Sequence, residues 1–296
     1  MEKSERTNVQ NIIWNIMKEI KKYLDNNDIE YYMLGGTLLG AIRHKGFIPW
    51  DDDIDIGIPR EQYDEFLKNI QNELPEHLKL DTYENSNTHH YYFARIVDTR
   101  YSLKRTGSLK ERNEDVWVDI FPLDGMPNNL ILRKIHMARL LAARAMYHIS
   151  TFDKVNLKRP NRPLSEKLII KFVMITGFGK KTDMKKWLNK IDKLLKKYPY
   201  SKSNYIVNFM GQYKFKEMFE KKHYGKGTLY DFEDDKLMGP DDYDFVLTQM
   251  YGNYMIPPKE QDKNAHAAYL NDEQTNLNHN QSTNDDTGRV YNGEEK

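Results

Sequence analysis

A chain of 296 residues without a single cysteine has no disulfide, no thiolate metal site and no cysteine nucleophile. Hydrophobic residues make up 39% and charged residues 30%, which leaves enough apolar surface for a core beneath a heavily ionic exterior. The near-neutral net charge of +1 conceals a segment, residues 131–200, with 18 Lys or Arg against 4 Asp or Glu. That bias exceeds what solubility needs and points to a polyanion or an anionic membrane face.

The start, MEKSERTNVQ, is polar, so no secretory leader is expected. Val9, Ile12, Ile13, Ile16, Met17, Ile20, Tyr23 and Leu24 recur at helical spacing and predict an amphipathic helix over 8–25. IEYYML (29–34) reads as a buried strand, Gly35-Gly36-Thr37 as a turn and TLLGAIRHKG as a short helix running into a loop. IDIGI (54–58) alternates as a strand, and Pro59 opens a helix over 60–72. LKLDTY (78–83), YYFARIVD (91–98) and VWVDIFPLDGM (116–126) predict further strands, the last running into a Pro/Gly turn that holds Asp124. From 130 the pattern is helical and basic, apart from the proline-punctuated loop 157–165. The longest apolar stretch, LIIKFVMITGF (168–178), carries Lys171 and is too short for a span of roughly 20 residues. It fits an interfacial helix instead. Residues 271–296 are polar with almost no apolar content, the composition of a disordered tail.

The chemistry concentrates in WDDDIDIGI. Side chains alternate across a strand, so Ile54, Ile56 and Ile58 share one face while Asp51, Asp53 and Asp55 share the other. Aspartate is a poor strand former, and like charges stacked this closely require a cation among them. Oxygen donors without cysteine point to Mg²⁺ or Mn²⁺ on Asp53 and Asp55. In VWVDIF the same phase puts Asp119 with Trp117 opposite Val116, Val118 and Ile120, so Asp119 is a candidate third metal ligand or general base. A solvated strand edge is the bland alternative for any lone D-x-D.

Glycines at 35 and 36 allow a phosphate to approach the backbone, and Thr37 can donate a hydroxyl hydrogen bond or cap the helix. Neither a P-loop nor a dinucleotide fingerprint occurs. Arg43, His44 and Lys45 lie between this turn and the aspartates, where they would neutralise a diphosphate. Arg95, on a strand, is a further candidate phosphate ligand. His89 and His90 lack partners at ligand spacing and read as exposed or strand-capping.

LGGTLLGAIRHKGFIPWDDDIDIGIPREQYDEF strongly resembles the opening motif of the LicD family. VWVDIFPLDGM resembles its second block, and YGNYMIPPKEQDKNAH (251–266) its closing block, with Tyr251, Gly252, Pro257, Pro258 and His266. Two departures are Thr37, where nucleotidyltransferases often have serine after a single glycine, and a longer spacing to the D-x-D.

The resemblance implies an α+β fold with a nucleotidyltransferase-like mixed sheet and flanking helices. A catalytic core would cover 1–128, a basic helical region 129–200, the C-terminal part of the domain 201–270 and the tail 271–296. It implies a phosphotransferase that moves a phosphorylated alcohol, phosphorylcholine from CDP-choline above all, onto a hydroxyl of teichoic acid or lipopolysaccharide, releasing CMP. Ribitol, glycerol and ethanolamine phosphates are the alternative cargoes. A choline group needs aromatic walls, and Trp50 and Trp117 lie nearest the acids. The expected setting is cytoplasmic, at the inner face of a bacterial membrane, with no nucleic-acid partner. The rival classes are a nucleotide-sugar glycosyltransferase, which also uses D-x-D, and a non-enzymatic basic adaptor.

Overall fold

A computed structural model describes residues 6–86, 89–105, 112–151, 183–258 and 268–270. The segments 157–165 and 168–178, His266 and the tail from 271 lie outside the described residues.

Helix α1 (Asn8–Asn26) opens with a reciprocal capping box, in which Thr7 accepts the Gln10 amide while the Gln10 side chain accepts the Thr7 amide. Its apolar stripe, Ile13, Ile16, Met17, Ile20 and Leu24, is buried against the sheet. A short strand β1 (Tyr32–Met33) follows, then helix α2 (Gly35–His44), strand β2 (Asp55–Pro59) and helix α3 (Arg60–Asn69). Strands β3 (Leu78–Asp81), β4 (Ala94–Arg105) and β5 (Arg112–Met126) complete the first half. Helix α4 (Leu130–Ser150) and helix α5 (Met184–Leu195) pack together. Strands β6 (Tyr205–Val207) and β7 (Met218–Glu220), the hairpin β8 (Thr228–Phe232) and β9 (Asp235–Gly239), helix α6 (Tyr243–Tyr251) and strand β10 (Ala268–Leu270) follow.

The sheet is mixed. Its order is β1-β2-β5-β4-β10, with β3 also on β4 and β6-β7 extending from the far end of β5. Strands β2 and β5 run parallel, and the other described pairs are antiparallel. Helices flank this sheet, so the architecture is a mixed α/β arrangement consistent with the α+β expectation. Ile54, Ile56 and Ile58 are fully buried, as a strand between two neighbours requires. A second apolar cluster joins α4, α5 and β6 through Leu140, Tyr147, Leu188, Ile191 and Val207.

Four local readings change. The Gly35-Gly36-Thr37 turn is the first turn of α2 itself. Residues 51–54 precede β2 rather than belonging to it. Asp124 is no turn residue: β5 continues through it because β6 pairs with Asp124–Met126, and its buried carboxylate takes Arg60 at 2.6 Å. His89 is buried rather than exposed, its ring nitrogens 2.9 Å from Asp81 Oδ2 and 2.8 Å from the Phe93 carbonyl.

Candidate functional site

The acids are positioned by a pairing that the strand pattern alone could not supply. Strands β2 and β5 are in parallel register with Asp55 opposite Asp119, and β4 and β3 continue the row with Arg95 opposite Asp119 and Asp81 opposite Arg95. A file of charge, Asp55, Asp119, Arg95 and Asp81, thus crosses four strands. Arg95 Nε donates to Asp119 Oδ1 at 2.7 Å, and its guanidinium lies between the rings of Tyr91 and Trp117, 4.3 and 4.1 Å away.

The start of α2 is fastened to β2 from two directions. The Leu34 amide donates to the Asp55 carbonyl at 3.0 Å, and the Asp55 amide donates to Thr37 Oγ1 at 2.8 Å. Thr37 is buried in this role. Gly35 has a φ of +48°, which L side chains rarely adopt. At Gly36 a Cβ would lie 2.7 Å from Asp51 Oδ2, so a side chain there would push the Asp51 carboxylate aside.

The helix start and the acids enclose a cavity of about 390 Å³. Its lining includes the carboxylates Asp51, Asp53, Asp55 and Glu217, with Gly35, Gly36 and Arg43. The aromatic rings of Trp50, Phe121, Tyr213, Tyr251 and Tyr254 line the same cavity. Arg43 is fixed by bonds from Nε to His44 Nε2 and from one terminal nitrogen to the Tyr254 carbonyl, both 2.8 Å. His44 therefore orients Arg43, and burial beside that cation lowers its own proton affinity. Lys45 is exposed and ends α2 in a left-handed conformation. Arg95 and Trp117 border a neighbouring cavity of about 420 Å³ with His89 and His90. The buried Asp119 links the two regions, paired with Arg95 on one strand and with Asp55 on the other.

Electrostatics mark the acid cluster as a place for a cation. Burial, then Asp53 and Asp52, push the Asp51 carboxyl up to about 8. Burial and the charges of Asp53, Asp119, Asp51 and Glu217 raise Asp55 well above the usual carboxylate range. Glu217, pushed up by burial to about 7, accepts the Tyr213 amide at 2.9 Å and the Asn208 amide nitrogen at 2.8 Å. Among the described residues no three His, Asp or Glu side chains form a complete metal cage by themselves. Two aspartates beside open space do fit Mg²⁺ or Mn²⁺, hard ions that commonly complete their shell with water and substrate phosphates.

The sequence pattern did not single out Asp51 as more than a neighbour, nor Glu217, Tyr213 and Tyr254. Glu217 ends a short 3₁₀ turn within KFKEMFE and has no periodicity to expose it. Tyr251 was legible only through the closing block.

Comparison with known proteins places this geometry. Residues 28–162 match the model of the LicD family, described as LicD/FKTN/FKRP, nucleotidyltransferase domain. The lipopolysaccharide cholinephosphotransferase LicD of Haemophilus influenzae is 29% identical over 260 residues, covering 87% of this chain and 94% of that protein. The human ribitol 5-phosphate transferase FKRP is 44% identical over 46 residues, 14% of this chain and 9% of that protein. An uncharacterized protein of Rickettsia prowazekii is 35% identical over 117 residues, covering 40% and 41% of the two chains. Residues 28–162 thus form a domain that matches the LicD family model, and most of the chain is similar to a LicD cholinephosphotransferase.

Proposed function

We propose that this protein transfers a phosphorylated alcohol, foremost phosphorylcholine from CDP-choline, to a hydroxyl of a cell-surface glycan such as lipopolysaccharide or teichoic acid, releasing CMP. The observation that carries the reading is the cavity itself, lined by clustered carboxylates and by aromatic rings. The near full-length likeness to a cholinephosphotransferase supports the same reaction class.

On this reading each group has a task. Asp53 and Asp55 would hold Mg²⁺, which when bound would supply positive charge beside the donor diphosphate. The amides at the start of α2 and the Arg43 guanidinium take phosphate oxygens. The acceptor hydroxyl attacks phosphorus in line, the bond to the CMP oxygen breaks, and the hydroxyl proton passes to a carboxylate, with Asp119 the first candidate. Asp119 can also complete the metal shell. Trp50, Tyr213, Tyr251 and Tyr254 offer ring faces to a trimethylammonium group. That aromatic lining favours choline over a polyol.

Ribitol phosphate is the second reading, supported by the segment shared with FKRP. A donor screen decides between them. CDP-choline, CDP-ribitol, CDP-glycerol and CDP-ethanolamine are each incubated with Mg²⁺ and a glycan acceptor, and CMP is measured. The expected result is CMP release with CDP-choline, abolished in Asp53→Asn. With UDP-sugars added as further donors, release of UDP with sugar transfer would instead make the protein a glycosyltransferase.

A further inference from the structure

The first half of α4 carries an apolar surface that the described residues leave exposed. Leu130, Ile131, Leu132 and Ile135 are 56%, 70%, 52% and 52% exposed. The packing face of this helix is elsewhere: His136, Leu140, Ala143 and Tyr147 are buried. At 3.6 residues per turn, Ile131, Ile135, Ala138 and Ala142 form one line along the outside. Lys134 flanks that line on one side and Arg139 on the other. Scattered exposed aliphatics are ordinary, but four within six residues make a contiguous patch.

The surroundings are cationic. The neighbouring α5 exposes Lys185, Lys186, Lys190 and Lys193 while burying Leu188, Ile191, Leu194 and Leu195. Arg139 and Lys197 both act on the buried His136, so cations from α4 and from the end of α5 gather around one spot. An apolar line edged by long basic side chains is the arrangement of a helix lying in a bilayer interface. There the aliphatics enter the acyl boundary and the cations reach anionic headgroups.

We infer that the first half of α4 is a docking ridge that seats this protein on an anionic lipid surface. A second copy of the chain fits the same face poorly, because an isologous contact would bring the flanking cations together. The ridge is also coupled to the acid cavity. Arg144, farther along α4, donates to the carbonyls of Phe209 and Gly211, in the loop that lines the cavity together with Asn208 and Glu217. Thirteen residues separate Ile131 from Arg144, roughly 20 Å of helix. A docked α4 therefore holds the cavity wall within reach of an acceptor displayed at a membrane. The inference does not depend on which alcohol phosphate is carried.

The test is co-sedimentation of the full chain with vesicles of phosphatidylcholine alone, and with vesicles of equal parts phosphatidylcholine and phosphatidylglycerol. Wild type is expected to pellet with the anionic vesicles, to stay in solution with the neutral ones, and to be released by salt. Ile131→Glu with Ile135→Glu should weaken binding about tenfold or more, because two of the four inserted aliphatics become charged. The milder Ile131→Ser with Ile135→Ser should also weaken it, and both variants should keep the wild-type circular dichroism and turnover on a soluble acceptor. Undiminished pelleting of the glutamate variant would overturn the inference. So would a concentration-dependent dimer of wild type that the same substitutions dissolve, since the ridge would then serve a second copy.

Discussion

Asp55 stands opposite Asp119 on parallel neighbouring strands, and Arg95 closes on Asp119 from the third strand at 2.7 Å. Of the two acids, Asp119 thus has an ion-paired counter-charge, while Asp55 is half-buried and lies among the like charges of Asp53 and Asp51. Replacing Asp55 by Asn removes one of the mutually repelling charges. Without divalent cations, the variant is expected to melt no lower than wild type. Wild type should gain thermal stability with Mg²⁺ by mass action, and Asp55→Asn should gain far less. Transfer should fall by about 10³-fold, the scale of losing a principal electrostatic element of a site. A variant that Mg²⁺ stabilises as strongly as wild type would remove Asp55 from the metal site.

The pH dependence follows from the same cluster. Asp51 is pushed up to about 8, above its ordinary value of 3.8. A carboxyl raised on folding binds more protons in the native than in the unfolded state, so stability falls as pH rises between those two values. Urea midpoints measured with EDTA across that window should decline with pH. Mg²⁺ competes with those protons, so its stabilising effect should grow over the same range. A flat difference between the Mg²⁺ and EDTA series would show that the ion binds elsewhere.

Arg95 holds the row together, so its removal should be costly. Arg95→Leu leaves Asp119 buried beside Asp55 without its cation and strips the guanidinium from between Tyr91 and Trp117. Breaking one side of a buried pair typically costs about 3–5 kcal/mol. The double variant Arg95→Leu/Asp119→Leu should recover much of that loss in urea denaturation without recovering transfer. Equal instability of the single and double variants would mean that the stacking, not the charge pair, carries the stability.

What could be read from the chain and what could not divides along the range of the interactions. The alternation of Ile54, Ile56 and Ile58 marked a strand, and the same phase put Asp53, Asp55 and Asp119 on candidate faces, because side-chain direction is a local property. That Asp55 lies opposite Asp119 depends on parallel pairing across 64 residues, which no local pattern encodes. Asp124 looked like a turn residue because PLDG is turn chemistry, but pairing with β6 and the bond from Arg60 keep it in the strand. His89 looked exposed because Asp81 and the Phe93 carbonyl, which enclose it, converge only after folding. The segment from 130 read as helical and basic, and only the packing of α4 on α5 shows that its first apolar residues face outward.

His136 provides an acid-sensitive reporter of that helical lobe. It is 2% exposed, its ring stands edge-on to Tyr198 at 4.9 Å, and neither ring nitrogen has a hydrogen-bond partner among the described residues. Burial, Arg139 and Lys197 lower its proton affinity to a pKa of about 4. A histidine depressed on folding contributes stability that is present above its ordinary value of 6.5 and is lost as pH falls toward 4. His136→Phe keeps a ring against Tyr198 and removes two buried polar atoms that leave water unpaid by any bond. The variant should therefore be at least as stable as wild type at neutral pH, and its advantage should widen as pH falls through that window. Chemical denaturation of both proteins at successive pH values measures the difference directly. An advantage that stays constant with pH would show that the imidazole is not the titrating group, and that protonation in this range acts on another part of the lobe.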